Sequence, residues 1–200
     1  MKSRRNDIDT LRAISVLSVI IFHIDNFVFP KGYLGVDIFF VISGYVITSS
    51  LLRRKNKNFV DFITSFYERR IKRLLPALIL FVLITSIFIC FFDANPLFSL
   101  RTGISSLFGL SNLYLIRAST NYFAESTDFN VFTHTWSLGV EEQFYILFPF
   151  ITWVTGFSRQ TSKGAKNLFL VLLFLAIFSF FAFVSLYSTN QSAAYFLMPT

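Results

Sequence analysis

The chain reads as an all-α membrane protein, a polytopic bundle of five or six membrane-embedded helices, on three observations. Hydrophobic residues fill 54% of its 200 positions and charged residues only 14%, with 28 Phe among them. A soluble chain of this size has no core large enough to hide so much apolar surface, so lipid is the solvent for much of it. The apolar residues fall in runs long enough to cross a bilayer. The basic residues behind the net charge of +7 sit in short segments between those runs, as the positive-inside rule expects. No soluble stretch interleaves stacking aromatics with basic residues, which removes nucleic acid as a partner.

The elements follow in order. The start, MKSRR and an apolar run, is not a signal peptide, because the run 11–29 carries Arg12, His23 and Asp25 and no small-residue cleavage site follows. It is read as the first span, with the N-terminus cytoplasmic. The second span is 34–52. Residues 53–73 hold eight Lys or Arg against Asp61 and Glu68, which makes this loop cytoplasmic. Within it Phe59, Phe62, Ile63, Phe66, Ile71, Leu74 and Leu75 recur at near-helical spacing. That pattern predicts an amphipathic helix at about 57–73 on the cytoplasmic surface, leading into a third span, 75–92, with Pro76 at a permitted helix start.

The stretch 99–116, with Arg101 and several serines, is a weaker candidate, either a sixth span or a re-entrant or interfacial segment. Residues 117–135 lean acidic (Glu125, Asp128), whereas 157–167 carry Arg159, Lys163 and Lys166. A full crossing at 99–116 would reverse the charge rule, which favours a non-crossing segment and an external 117–135. The remaining spans are 137–156 and 168–187, the latter without a charge. All belong to one domain, 1–200, read as incomplete at its C-terminus.

Ionisable groups at membrane depth are costly and mark function. Arg12 and His23 share the first span; eleven positions apart, they lie about 20° apart on one face and about 16 Å apart along the axis. That sets a cation near one surface and an imidazole deep inside. A neutral imidazole there serves as a general base; a helix-to-helix hydrogen bond is its plainer role. Asp25 points elsewhere and suits the outer interface. In GYLGVDIFFVISGY, Asp37 wants a cation, a donor or water, and is read as a partner for the histidine or for a substrate hydroxyl. Ser43 and Gly44 there suit close helix packing, and Ser43 also a substrate contact.

Arg69, Arg70, Lys72 and Arg73 orient the chain against anionic lipid or bind phosphate, as guanidinium forks do. In THTWSLGVEEQFY, His134, Trp136, Ser137, Glu141, Glu142, Gln143 and Tyr145 crowd the start of an apolar span. Ser137, Glu141 and Tyr145 fall on one face, where helix capping by Ser137 is the plainer reading. There is no P-loop, dinucleotide fingerprint or G-x-S-x-G elbow, and the two histidines lack metal-ligand spacing, so no metal is expected. The lone Cys90 excludes an internal disulfide and reads as a small buried hydrophobe.

Four ordered blocks, IDTLRAISVLSVIIFH, GYLGVDIFFVISGY, FYERRIKRLLPAL and HTWSLGVEEQFYILFP, resemble the acyltransferase type 3 family over nearly all of 5–200. The resemblance implies an integral membrane enzyme that O-acylates, usually O-acetylates, bacterial surface glycans. It matches the family's arginine–ten residues–histidine motif to Arg12 and His23. Its basic cluster falls on Arg69, Arg70 and Arg73, and its tryptophan–serine–leucine block with a following glutamate on Trp136, Ser137, Leu138 and Glu141.

The expectation is acyl transfer, acetyl first, from cytoplasmic acyl-CoA to a carbohydrate or lipid-linked hydroxyl. The protein would sit in a bacterial inner membrane, with membrane lipid, the acyl-CoA donor and the carbohydrate acceptor as its partners. His23 is the base; Arg12, Arg69, Arg70 and Arg73 hold coenzyme phosphates. Glu141 and Asp37 orient the base or acceptor, with His134, Trp136, Ser137, Ser43 and Tyr145 beside the substrate. Family members are longer, and YFLMPT at the end resembles the opening of a further block, so an N-terminal portion is expected. The rival readings are a proton- or ion-coupled transporter subunit and an inactive fragment.

Overall fold

A computed structural model describes residues 5–52, 58–119, 130–159 and 161–197. These are all helical in their regular elements, with no strand among them. The acidic Glu125 and Asp128, the basic residues 53–57 and the end of YFLMPT lie outside the described residues. Three helices are long and apolar enough to cross a membrane: Gly32–Leu52, Phe59–Phe92 and Ser162–Thr189. The chain divides into two compact units, with the division in the sequence near residue 54.

The first unit is a helical hairpin. Helix α1, Asn6–Ile24, stops five residues short of the expected end of its span. The Asp25 carboxylate accepts a hydrogen bond from the Phe27 amide at 2.8 Å, turning the chain out of the helix. His23 is therefore in the last turn of α1 rather than deep along it. A 3-10 turn, Gly32–Leu34, leads into α2, Gly35–Leu52. The two helices run antiparallel: Arg5 reaches the Tyr45 hydroxyl at 3.3 Å, and the Arg12 guanidinium lies over the Phe39 ring at 5.7 Å.

Gly32 and Gly35 make that seam possible. A Cβ on Gly35 would collide with the Ser15 carbonyl oxygen and the Val19 side chain; one on Gly32 would strike the Ser18 carbonyl and Phe22. Small residues allow backbones to approach this closely. Gly44, expected to serve that purpose, does not: a Cβ there meets nothing within 4 Å.

The second unit starts with α3, Phe59–Phe92, a single helix of 34 residues. The amphipathic stretch and the third span are thus one rod about 51 Å long, and Pro76 lies inside it rather than at a start. The apolar face of the amphipathic half meets protein rather than a lipid surface. It packs on α6, Trp136–Val154, with Phe62 and Phe66 buried and the Phe59 and Phe62 rings 5.2 and 5.5 Å from Trp153.

The pairing is antiparallel, since Tyr67 meets Ile146 and Phe81 meets His134. The middle of α6 is therefore level with Tyr67–Arg70, roughly 20 Å along the axis from the centre of the apolar stretch 75–92. A hydrocarbon core of about 30 Å does not enclose both stretches in full unless the helices tilt strongly.

The stretch 99–116 is broken into α4, Leu97–Leu107, and α5, Ser111–Ser119. Neither is long enough to cross alone. Gly109, at φ 66°, makes the break, a left-handed conformation that other residues rarely adopt. Ser99, Thr102, Gly103 and Ser106 form a buried small-residue face on α4. Phe132 lies on Gly103 and joins Leu78, Val82 and Ile89 of α3 in the core. Helix α7, Ser162–Thr189, carries the uncharged run, with only Gly164 and Leu168 of its residues buried. The short α8, Gln191–Leu197, follows, with Ala193, Ala194 and Phe196 buried.

Candidate functional site

In the hairpin, Arg12 and His23 border the seam made by Ser15, Ser18, Val19 and Phe22. His23 is exposed, its Nδ1 is 2.8 Å from the Val19 carbonyl oxygen, and its ring stands edge-on to Phe22 at 5.4 Å. A carbonyl can only accept, so Nδ1 carries the proton. In the neutral ring the lone pair is then on Nε2, at the outer edge, which is the arrangement a general base needs.

Arg12 is half-buried and its Nε has no hydrogen-bond partner among the described residues. The buried Ser43 hydroxyl likewise has none. Asp37, half-buried on α2, is level with Ser15, about 12 Å along the axis from His23. It is brought near the Arg12 end of the stripe and not beside the imidazole. At the foot of the hairpin, the Arg5 guanidinium donates to Asp7 at 2.6 Å. Its hydrogen bonds hold that exposed carboxyl down at about 2.

In the second unit the predicted residues separate. Arg70 turns inward, its guanidinium 3.6 Å from the centre of the Tyr145 ring. Tyr145, also buried, donates its hydroxyl to the buried Glu141. This confirms the shared face of Glu141 and Tyr145. Lys72 pairs with Glu68 at 2.6 Å. Arg73 is exposed and Arg69 half-buried; four apart, they lie on one face. Ser137 does not cap α6: the helix begins at Trp136, and the Ser137 hydroxyl donates to the His134 carbonyl at 3.2 Å. His134 stands edge-on to Phe81 at 5.8 Å, and the Trp136 ring packs on Tyr195 at 4.9 Å.

Sequence reasoning missed two groups. Pro149 has no N–H, so the carbonyl four residues earlier, on Tyr145, loses its helical donor. Tyr67 supplies one, its hydroxyl 3.4 Å from that oxygen and 3.0 Å from the Ile146 oxygen. The second group is Asn112, which partners the Gln143 already named in the sequence. Gln143 Nε2 donates to the Asn112 Oδ1 at 2.8 Å and to the Gly109 carbonyl at 3.1 Å. Asn112 reaches the Phe196 carbonyl at 3.3 Å, and the Ser111 hydroxyl donates to the Thr135 carbonyl at 2.7 Å. A proline four residues after a tyrosine was the available signal for the first group. Nothing local announces the second.

Three apolar helices of bilayer length among the described residues mark a membrane-type protein. The chain belongs to the acyltransferase type 3 family, matching its acyltransferase domain over residues 5–199.

It is 42% identical over 145 residues to "Putative O-acetyltransferase SACOL0978" of Staphylococcus aureus (strain COL), covering 72% of this chain and 24% of that protein. It is 40% identical over 169 residues to "Putative peptidoglycan O-acetyltransferase YrhL" of Bacillus subtilis (strain 168), covering 84% and 26%. It is 36% identical over 198 residues to "Peptidoglycan O-acetyltransferase OatA" of Listeria monocytogenes, covering 94% and 30%. The chain thus matches 24–30% of the length of these relatives. No solved structure matches it.

Proposed function

We propose that the protein transfers an acetyl group from acetyl-CoA to a hydroxyl of a cell-surface glycan, with peptidoglycan the leading acceptor because two relatives are named for it. The observation that carries this reading is the hydrogen bond from His23 Nδ1 to the Val19 carbonyl, which leaves Nε2 to act as base. Nε2 takes the acceptor's O–H proton as that oxygen attacks the thioester carbonyl. The carbon–sulfur bond breaks, and the proton passes to the departing coenzyme thiolate.

Arg12, Arg69 and Arg73 are the cations offered to the donor's phosphates. Asp37, the Tyr145-held Glu141, and His134, Trp136, Ser137 and Ser43 are assigned to orienting the acceptor or the base. No metal takes part. We place the protein in the bacterial inner membrane with its N-terminus cytoplasmic and five crossings, by α1, α2, α3, α6 and α7. The broken α4–α5 pair is embedded without crossing. His23, in the last turn of α1, then lies toward the far surface, on the acceptor's side.

The test is transfer of radiolabel from acetyl-CoA to cell-wall glycan by membranes that contain the protein. His23→Ala lowers the rate about a hundredfold or more while leaving membrane insertion unchanged. Transfer by that variant at the normal rate removes His23 as the base. Absence of donor-dependent labelling by the unsubstituted protein overturns the reaction, and ion flux in its place favours the transporter reading.

A further inference from the structure

The basic cluster ahead of the apolar part of α3 contains two kinds of arginine. Arg69 and Arg73 lie one turn apart on one face. Arg70 lies about 100° around the helix from Arg69 and is committed to α6. Its guanidinium is 3.6 Å from the centre of the Tyr145 ring, close enough for a strong cation–π contact. The same tyrosine is held at three further points: its hydroxyl bonds to the buried Glu141, its ring is buried, and its carbonyl, freed by Pro149, receives the Tyr67 hydroxyl. Tyr67 and Arg70 are three residues apart and so grip one residue of α6 from one stripe of α3. Two contacts on one stripe fix both the height and the roll of a helix, and the roll decides where its other stripes point.

We propose that Arg70 is a positioning residue, not a phosphate ligand. Stacked on Tyr145, it locks the roll of α3 so that Arg69 and Arg73 are presented together to the phosphates of the donor. The second half of this statement rests on the acetyl-CoA reading above; the first half does not.

Lysine is the discriminating substitution. It keeps the charge that a phosphate site needs but loses the flat guanidinium that stacks on a ring. The measurements are thermal unfolding of the detergent-solubilised protein without donor, and KM and kcat for two donors: acetyl-CoA, and acetyl-pantetheine, which has no phosphates. Arg70→Lys is expected to lower Tm and to raise KM for acetyl-CoA about three- to thirtyfold, the range of a desolvated cation–π contact. Its kcat and its KM for acetyl-pantetheine stay unchanged. Arg73→Gln raises KM for acetyl-CoA with no change in Tm, and Arg69→Gln raises it too. Tyr145→Leu lowers Tm at least as far as Arg70→Lys does, and the double variant is no worse in Tm than Tyr145→Leu alone, as a shared contact requires.

A normal Tm with little change in KM for Arg70→Lys, together with a raised KM at normal Tm for Arg70→Gln, makes it a direct phosphate ligand and overturns the proposal. So does an equal rise in KM for both donors, which marks a merely structural role. If the unsubstituted protein uses neither donor, the reaction assignment falls with the second half, while the Tm pattern of Arg70 and Tyr145 still decides the latch.

Discussion

The hairpin and the α3–α8 unit treat their polar groups in opposite ways. In the α3–α8 unit several interior polar side chains bridge one helix or loop to another, although the Ser158 hydroxyl is buried without a partner among the described residues. Asn112 has Gln143, and Asn130 donates to the Thr102 hydroxyl at 2.6 Å. In the hairpin the seam is closed by backbone contact at two glycines, and Arg12 Nε and the Ser43 hydroxyl are left unpaired among the described residues. A buried polar atom without a partner costs about 1–3 kcal/mol, so a fold keeps one only where something else uses it. The named polar residues of the larger unit tie helices together, whereas Arg12 Nε and the Ser43 hydroxyl make no such tie in the hairpin, which makes them candidates for a role outside packing.

The largest effect expected from breaking this comparison is at the hairpin seam. Gly35→Val drives a branched side chain into the Ser15 carbonyl, a backbone atom that cannot rotate away. Overpacking of this kind costs about 3 kcal/mol, enough to separate α1 from α2. Thermal unfolding in detergent should show Tm falling by many degrees. Gly44→Ala is the control. It lies in mid-helix with open space where the Cβ would go, so it should stabilise α2 by about 0.5–1 kcal/mol. Equal behaviour of the two variants would mean that the seam is not held by glycine contact.

The same two glycines show what was legible. The apolar runs, their approximate lengths and the shared stripe of Arg12 and His23 were readable because they depend on period and composition alone. GYLG is also a small-x-x-small pattern, but by sequence the Ser43–Gly44 pair inside a span is a stronger packing signal than a glycine at its mouth. The end of α1 was not legible: Phe27, Val28 and Phe29 continue the apolar run, and only the Asx turn of Asp25 shows that the helix has stopped. Pro76 signals a helix start by propensity, but tertiary packing carries α3 through it. The inward turn of Arg70 was hidden for a different reason. A run of like charges reads as one patch until a partner 75 residues away, Tyr145, selects one member of it.

In the larger unit the corresponding experiment is Asn112→Leu. Asn112 is fully buried and ties α5 to Gln143 of α6 and to the Phe196 carbonyl of α8. The leucine leaves the buried Phe196 without its donor, a penalty of about 1–3 kcal/mol if its carbonyl finds no water, while the half-buried Gln143 keeps its bond to the Gly109 carbonyl. The net loss is smaller than at Gly35, because the new side chain recovers some apolar burial. The expected readout is a lower Tm with no change in the pH profile of acetyl transfer, since no group proposed for the chemistry is touched. A Tm equal to that of the unsubstituted protein would show that the network does not bind α5 to α6.

The smallest effect is the most discriminating. Ser43 is 2% exposed and its hydroxyl has no partner among the described residues. Removing an unpaired buried hydroxyl relieves its desolvation and leaves a helix-favouring alanine, so Ser43→Ala should hold Tm or raise it by a degree or two, a gain of up to about 1 kcal/mol. If the hairpin reserves this hydroxyl for substrate, transfer must fall in the same variant, because a site built to hydrogen-bond a polar group loses discrimination when its own partner is removed. A more stable protein with weaker transfer is therefore the signature of a polar group kept for function. A lower Tm would instead mean that Ser43 bonds within the fold, and the contrast between the two units would reduce to one of packing density.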